Sequence, residues 1–390
     1  MYSGIEFSHP DLLDELNKKV TVSEKVIAIH RFVRQSCDFV HRIGVAVYEP
    51  ESDLVKTFVH STDTGNPLPH YQAKLSKATS LLQIHLEGKP RIVNDLSVFD
   101  SSENKHAKKI NSHGYWSSYT IPMYQDEQLT GFIFFNSRSS GVFHEENLPY
   151  LDTIARLISL LVSVELNHVK TLHGALKTAT SFSSHRDPET GAHLERMAHF
   201  SSIIANRIAP DYDLDDETVE MIFWFAQMHD IGKIAIPDYV LLKPGKLTND
   251  EFELMKTHTT KGREIIDAML KNFDLNNSPL IHMLGNIVEC HHENIDGSGY
   301  PNGLQGMNIP IEARIIAVAD VFDALTSDRP YKHAWSNEDA FAELEELATW
   351  KLDRQCVEAL IENGERVEEI QTLFQDEQGK LELFMGDGHA

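Results

Sequence analysis

His229 and Asp230 stand side by side where an apolar helical run (Ile222, Phe223, Phe225, Ala226, Met228) gives way to Gly232-Lys233. An imidazole and a carboxylate at the end of a buried helix are costly unless paired or bound to a cation. Four further segments carry the same residue types. Glu189 and His193, in DPETGAHLERM, are spaced i and i+4, so one helical face presents both to a single ion. His258 lies on a helix in MKTHTTKG, and His291-His292 end a helix that starts near Ile281. Asp320 falls in IEARIIAVADVFD, a helix apolar nearly all round (Ile315, Ile316, Val318, Ala319, Val321, Phe322). An ionised carboxylate there needs a metal or a strong donor. Each feature alone also fits an ordinary exposed pair or a hydrogen-bonded core histidine.

Taken together, nitrogen and oxygen ligands with no thiolate suit iron or manganese as well as zinc. A His-Asp pair lets the carboxylate bridge two metals while imidazoles cap each one. Two such cations about 3.5–4 Å apart can acidify a water and clamp a phosphoryl group for in-line attack. Lys233 then adds positive charge for phosphoryl oxygens.

These segments must be held by a largely helical frame. From His185 onward the chain reads almost entirely helical, without alternating strand patterns. Glu146 to about Ser183 reads as one long helix, which either packs on its own domain or connects two domains as a parallel dimerising helix. Residues 1–150 read as mixed α/β. A helix covers Val22–Cys37, strands cover Ile43–Tyr48, Leu54–His60, Tyr119–Tyr124 and Gly131–Asn136, and QDEQLT joins the last two as a hairpin.

The first half resembles a GAF-type sensor domain, with PAS the near alternative; the run GFIFFNSRSSGVFHEENLPYLDTIARLISLLV carries most of that likeness. The ordered set HDIGK, IPD, LLKPGKLT, MKTHTTKG, HHENIDGSGYPNGL and IPIEARIIAVADVFDALTSDRPY, from about His185 to Trp335, resembles the HD-GYP branch of the HD phosphohydrolases. The resemblance implies an α+β GAF-like domain (1–150), a connecting helix (151–183) and an all-α HD-GYP domain (184–390) with acidic C-terminal helices. It makes His193, His229, Asp230, His258, His291, His292 and Asp320 metal ligands. Glu189 matches an extra carboxylate of three-metal members. Two or three divalent ions are expected, iron first and manganese as the alternative. Lys233 matches a lysine on the scissile phosphate, Arg329 and Lys332 match basic residues for phosphate or guanine, and Tyr300 with the Gly297 and Gly299 loop (297–303) shapes the pocket.

The implied substrate is a cyclic dinucleotide. Cyclic di-GMP cut to linear pGpG, and to GMP by a second cut, is the first expectation. Mixed cyclic GMP-AMP is the alternative, since the sequence does not separate guanine from adenine. A non-catalytic nucleotide-sensing adaptor and a hydrolase for another phosphoester are the competing readings. A homodimer is expected, and the GAF-like half holds an unknown small ligand or none: its His60, His70, His85 and His113 show no metal spacing.

Composition bounds the partners. The 390 residues carry 35 basic and 59 acidic side chains, net −24, which excludes a nucleic-acid coat because phosphate neutralisation needs clustered Lys and Arg. Residues 1–150 are nearly balanced (15 basic, 18 acidic), so the acidity belongs to the second half. The last 53 residues hold 15 acidic and 4 basic side chains and read as one or two solvated helices with a loose end. Three scattered cysteines (Cys37, Cys290, Cys356) suit free thiols in a reducing compartment. With no signal-peptide pattern and no apolar run long enough for a bilayer, a cytoplasmic protein without membrane contact is expected.

Overall fold

The computed structural model of the chain describes residues 11–63, 68–99, 110–182, 191–272, 279–328 and 333–375. It divides into two compact units, 1–167 with 215–217 and 168–214 with 218–390.

The first unit is built on six strands, β1 (Arg42–Glu49), β2 (Leu54–Thr62), β3 (Gln72–Lys74), β4 (Arg91–Val93), β5 (Ser117–Gln125) and β6 (Gln128–Ser137). Their order is β3-β2-β1-β6-β5-β4, and every neighbouring pair is antiparallel. The β5–β6 hairpin turns on Asp126 and Glu127, both at positive φ (47° and 66°), the conformation a two-residue turn requires. Helix α1 (Val22–Val33) opens with a capping box between Thr21 and Glu24. Helix α2 (Thr79–Glu87) buries Leu81 and Ile84 against Ala46, Val55, Phe132 and Phe134 of the sheet. Helix α3 (Leu148–Phe182) begins against β5, where Tyr119 donates to Asp152 Oδ1 at 2.5 Å. The antiparallel sheet with flanking helices is the layout expected of a GAF-like domain. The long helix is continuous, as its apolar spacing predicted.

The second unit is helical. Its elements are α4 (Gly191–Tyr212), α5 (Asp216–Ala226), a 3-10 turn (Ile231–Ala235), α6 (Asp238–Leu241), α7 (Asn249–Lys256), α8 (His258–Asn272), α9 (Pro279–Cys290), α10 (Ile311–Thr326), α11 (Asn337–Leu347), α12 (Arg354–Ile361) and α13 (Gly364–Leu373). Two glycines set the spacing on which the ligand residues depend. A Cβ at Gly232 would lie 1.8 Å from the His258 carbonyl oxygen and 2.6 Å from Gly262 N, and one at Gly262 would lie 2.5 Å from Val288 Cγ1. Backbone against backbone, the 3-10 turn, α8 and α9 therefore stack closely enough for their histidines to meet.

The acidic C-terminal stretch departs from the solvated pair of helices expected. Three helices form, and they bury Ala340, Leu344, Cys356, Val357, Leu360 and Val367. Apolar residues three apart among the carboxylates supply the inward face that net charge conceals. A buried ion pair ties this stretch to α10: Arg314 Nη1 lies 2.6 Å from Asp353 Oδ2, and Asp353 also caps α12 through Gln355 N and Cys356 N. Removing one partner of such a pair costs about 3–5 kcal/mol.

Candidate metal centre

Seven of the eight sequence-predicted ligands are described, and they converge in two groups. Asp230, His258, His291 and His292 form one; His193, His229 and Asp320 form the other, the ligand atoms of each lying within 4.8 Å of one another. Five chain segments meet here. Glu189, Arg329 and Lys332 lie outside the described residues.

The imidazoles are held by their Nδ1 atoms. His229 donates to Ala226 O at 2.9 Å, His258 to Met255 O at 2.9 Å, and His291 to Ile287 O at 3.0 Å. Each acceptor belongs to the last turn of a helix and shares its carbonyl oxygen between a backbone N–H and the ring; Ile287 O, for example, also accepts from His291 N at 3.2 Å. His193 instead donates to Asp323 Oδ2 at 2.7 Å. A neutral ring that donates from Nδ1 keeps its lone pair on Nε2.

Those lone pairs point at a carboxylate. His258 Nε2 and His291 Nε2 stand 3.1 and 3.5 Å from Asp230 Oδ1, and 3.5 Å from each other. His229 Nε2 stands 3.2 Å from Asp230 Oδ2. Acceptor faces acceptor, an arrangement that repels unless cations lie among the groups. Asp230 thus offers one oxygen to each histidine group, the geometry of a carboxylate shared between two ions, and the donor set fits divalent metals.

The protonation states agree. Burial pushes the Asp230 carboxyl up, but the Lys233 ammonium, with Nζ 2.7 Å from Oδ2, leads the charges that outweigh it and hold the group well below the usual range. Burial holds His291 below its ordinary value and His292 well below it, so both rings are neutral, as ligation requires. The Tyr300 ring lies 4.8 Å from the His292 ring, tilted by 35°, and burial raises its phenol, so the hydroxyl keeps its proton. Gly297 takes a positive φ (84°), and a Cβ at Gly299 would stand 2.3 Å from Asn294 N, so both glycines are required by the loop's own path.

Sequence reasoning passed over three supporting residues. Asp323 orients His193 while accepting from Arg196 Nε at 2.6 Å, and Arg196 Nη2 reaches Ser327 Oγ at 2.8 Å. Glu293, 3% exposed, accepts from Asn302 N at 2.7 Å and Leu304 N at 2.9 Å, pinning the loop that carries Tyr300. Signals existed: Asp323 follows Asp320 by three residues on an apolar helix, and Glu293 follows the His pair directly. Carboxylates that fix a ligand's tautomer typically contribute 10–100-fold to metal affinity. Asp323→Asn should therefore weaken metal binding by about 10–100-fold, with activity recovered at high metal concentration. A metal titration followed by activity checks this, and an unchanged midpoint would contradict the orienting role.

Residues 184–356 match the HD domain family. A cyclic di-GMP phosphodiesterase response regulator of Xanthomonas campestris pv. campestris is 43% identical over 215 residues, 55% of this chain and 53% of that protein. A cyclic di-GMP phosphodiesterase of Thermotoga maritima is 38% identical over 240 residues, covering 60% and 62%. The 3'3'-cGAMP-specific phosphodiesterase 2 of Vibrio cholerae is 39% identical over 191 residues, covering 49% and 34%. The chain thus spans about half to three-fifths of the length of the first two. Among solved structures, the phycocyanobilin-bound GAF domain of a cyanobacterial phytochrome matches at 16% identity and a TM-score of 0.31, over 41% of this chain and 92% of that one. Among the described residues, no helix is long and apolar enough to cross a membrane.

Proposed function

We propose that this chain, whose residues 184–356 match the HD domain family, is a metal-dependent phosphodiesterase that opens a cyclic dinucleotide. Cyclic di-GMP is the first substrate, with linear pGpG as product and GMP after a second cut. The observation that carries this reading is Asp230, which presents one oxygen to each of two histidine groups beside an ammonium. His193, His229 and Asp320 would hold one cation, and His258, His291 and His292 the other, with Asp230 between them. Iron is the first choice and manganese the second, because the donor set is nitrogen and oxygen only. Bound cations supply neutralisation of phosphoryl charge and a more acidic water.

The chain's own residues do the rest. The Lys233 ammonium neutralises a phosphoryl oxygen beside Asp230. Tyr300, fixed through Glu293, walls the pocket and offers a ring face and a neutral hydroxyl. Arg329 and Lys332 take the second phosphate or a guanine edge. Helix α3 exposes Leu160 and Val164, i and i+4, which supports its reading as the dimer seam through which the first unit regulates the second. The enzyme works in the cytoplasm.

The test is turnover by protein purified without oxygen, loaded with Fe²⁺ or Mn²⁺ and given cyclic di-GMP. Linear dinucleotide is the expected product, and none formed with full metal would sink the reading. Mixed cyclic GMP-AMP belongs in the same assay, because one relative's name assigns it that substrate. Glu189 is the proposed ligand of a third ion. Glu189→Ala should lose one metal equivalent by elemental analysis; unchanged stoichiometry means a two-metal site.

A further inference from the structure

His193, Arg196 and His199 follow one another at i, i+3 and i+6, so one face of α4 carries all three. Arg196 is buried, and its guanidinium is engaged through every nitrogen. Nε donates to Asp323 Oδ1 at 2.6 Å and Nη2 to Asp323 Oδ2 at 3.1 Å, a two-point grip on the carboxylate that orients His193. Nη1 donates at 2.9 Å to the backbone carbonyl of Phe374, just past the last turn of α13 and 178 residues along the chain. A planar guanidinium turns as one body, so an acceptor lost at Nη1 also loosens the grip at Nε and Nη2.

The Phe374 side chain places that carbonyl. Its ring stacks on the buried His199 ring, with centroids 4.9 Å apart and planes 22° apart, and His199 in turn meets Phe223 of α5 edge-on at 5.1 Å. The Phe374 N–H closes onto Ile370 O at 2.9 Å, which ties the residue to α13. The ring on His199 and the carbonyl on Arg196 therefore grip α4 at two points, one turn apart, beside the turn that carries His193. The other histidine group has no such dependence, because His258 and His291 are anchored on the carbonyls of Met255 and Ile287.

We propose that Phe374 is a positioning residue for one ion of the pair, the ion of His193, His229 and Asp320, and that it acts through Arg196 and Asp323; this rests on the metal-centre reading above. Mn²⁺ binding to the metal-free full chain, measured against a competing chelator, tests it, with two binding steps expected of the wild type. Outer partners of a ligand typically contribute 10–100-fold to metal affinity, and Phe374 stands one link further out. Phe374→Ala should therefore weaken one step by about 3–10-fold and leave the other unchanged. Phe374→Tyr, which keeps the ring, should bind as the wild type does. Phe374→Leu, which keeps the bulk without the stack, carries the same test should the alanine variant fail to fold. His193→Ala identifies the step: it should abolish the one that Phe374→Ala weakens, and adding Phe374→Ala to it should leave the remaining step where it was. A residue that merely stabilised the fold would weaken both steps together, and that result overturns the proposal. So do two unchanged steps in the alanine and leucine variants, or a tyrosine variant as weak as alanine. A wild type that takes up no Mn²⁺ overturns the metal-centre reading and this proposal together, an outcome distinct from the others because no variant is needed to see it.

Discussion

Asp230→Ala should leave a folded protein that neither retains metal nor turns over substrate. The two oxygens of Asp230 face different histidine groups, His258 and His291 from Oδ1 and His229 from Oδ2. Removing one side chain therefore strips an anionic ligand from both positions at once. The remaining imidazoles are neutral donors and cannot offset the charge of two divalent ions in a buried site. Metal chemistry supplies several kcal/mol of transition-state stabilisation, and each 1.36 kcal/mol is tenfold in rate, so turnover should fall by at least about a thousandfold. Asp230→Asn separates charge from volume, since it fills the same space with a neutral group. Metal content after desalting and single-turnover hydrolysis are the readouts. Thermal midpoints compared after chelation of both proteins guard against misfolding, and they should agree within a few degrees. Near-normal hydrolysis with full metal content in the alanine variant would show that Asp230 is not a ligand.

Much of the site could be read from residue order because its chemistry needs rare residues in costly places. His229-Asp230 behind an apolar run and Asp320 within an apolar helix were conspicuous, since neither is stable there without a partner. What holds the ligands was far less visible. The Nδ1 anchors are carbonyls of Ala226, Met255 and Ile287, and a carbonyl is present at every position. Those carbonyls stand in the last turns of α5, α7 and α9, and helix ends are the least legible part of any pattern. A rule does emerge from the three cases: each of these histidines stands three or four residues beyond its acceptor. Asp323 and Arg196 escaped notice for a related reason. Their value lies in a contact across 127 residues, not in spacing along one helix.

In the first unit the four longer strands and their hairpin followed from β-rich runs and the polar stretch QDEQLT between the last two. β3 and β4 did not, because three residues are too few for a period of two to declare itself. The C-terminal helices show how net charge misleads. Fifteen acidic side chains suggested solvent on every face, while Val357, Leu360 and Val367 turned one face inward. Net charge likewise said nothing against a phosphate substrate, because local cations decide that question.

Lys233→Ala should separate catalysis from binding. Its ammonium lies 2.7 Å from Asp230 Oδ2, yet its side chain is 20% exposed, so it is not sealed in the interior. It stands on a 3-10 turn held rigid by Gly232, whose missing Cβ permits contact with the His258 backbone. A preorganised cation in that place stabilises charge that grows on the phosphoryl oxygens, and removing one such group typically costs about 10²–10³ in kcat. KM should change little, because the ground-state diester carries less charge on those oxygens than the transition state. Metal content should hold or rise, since the variant leaves Asp230 more strongly negative. Steady-state kinetics with parallel elemental analysis distinguishes the outcomes. A raised KM at unchanged kcat would make Lys233 a binding residue, whereas loss of metal would make it a support for Asp230.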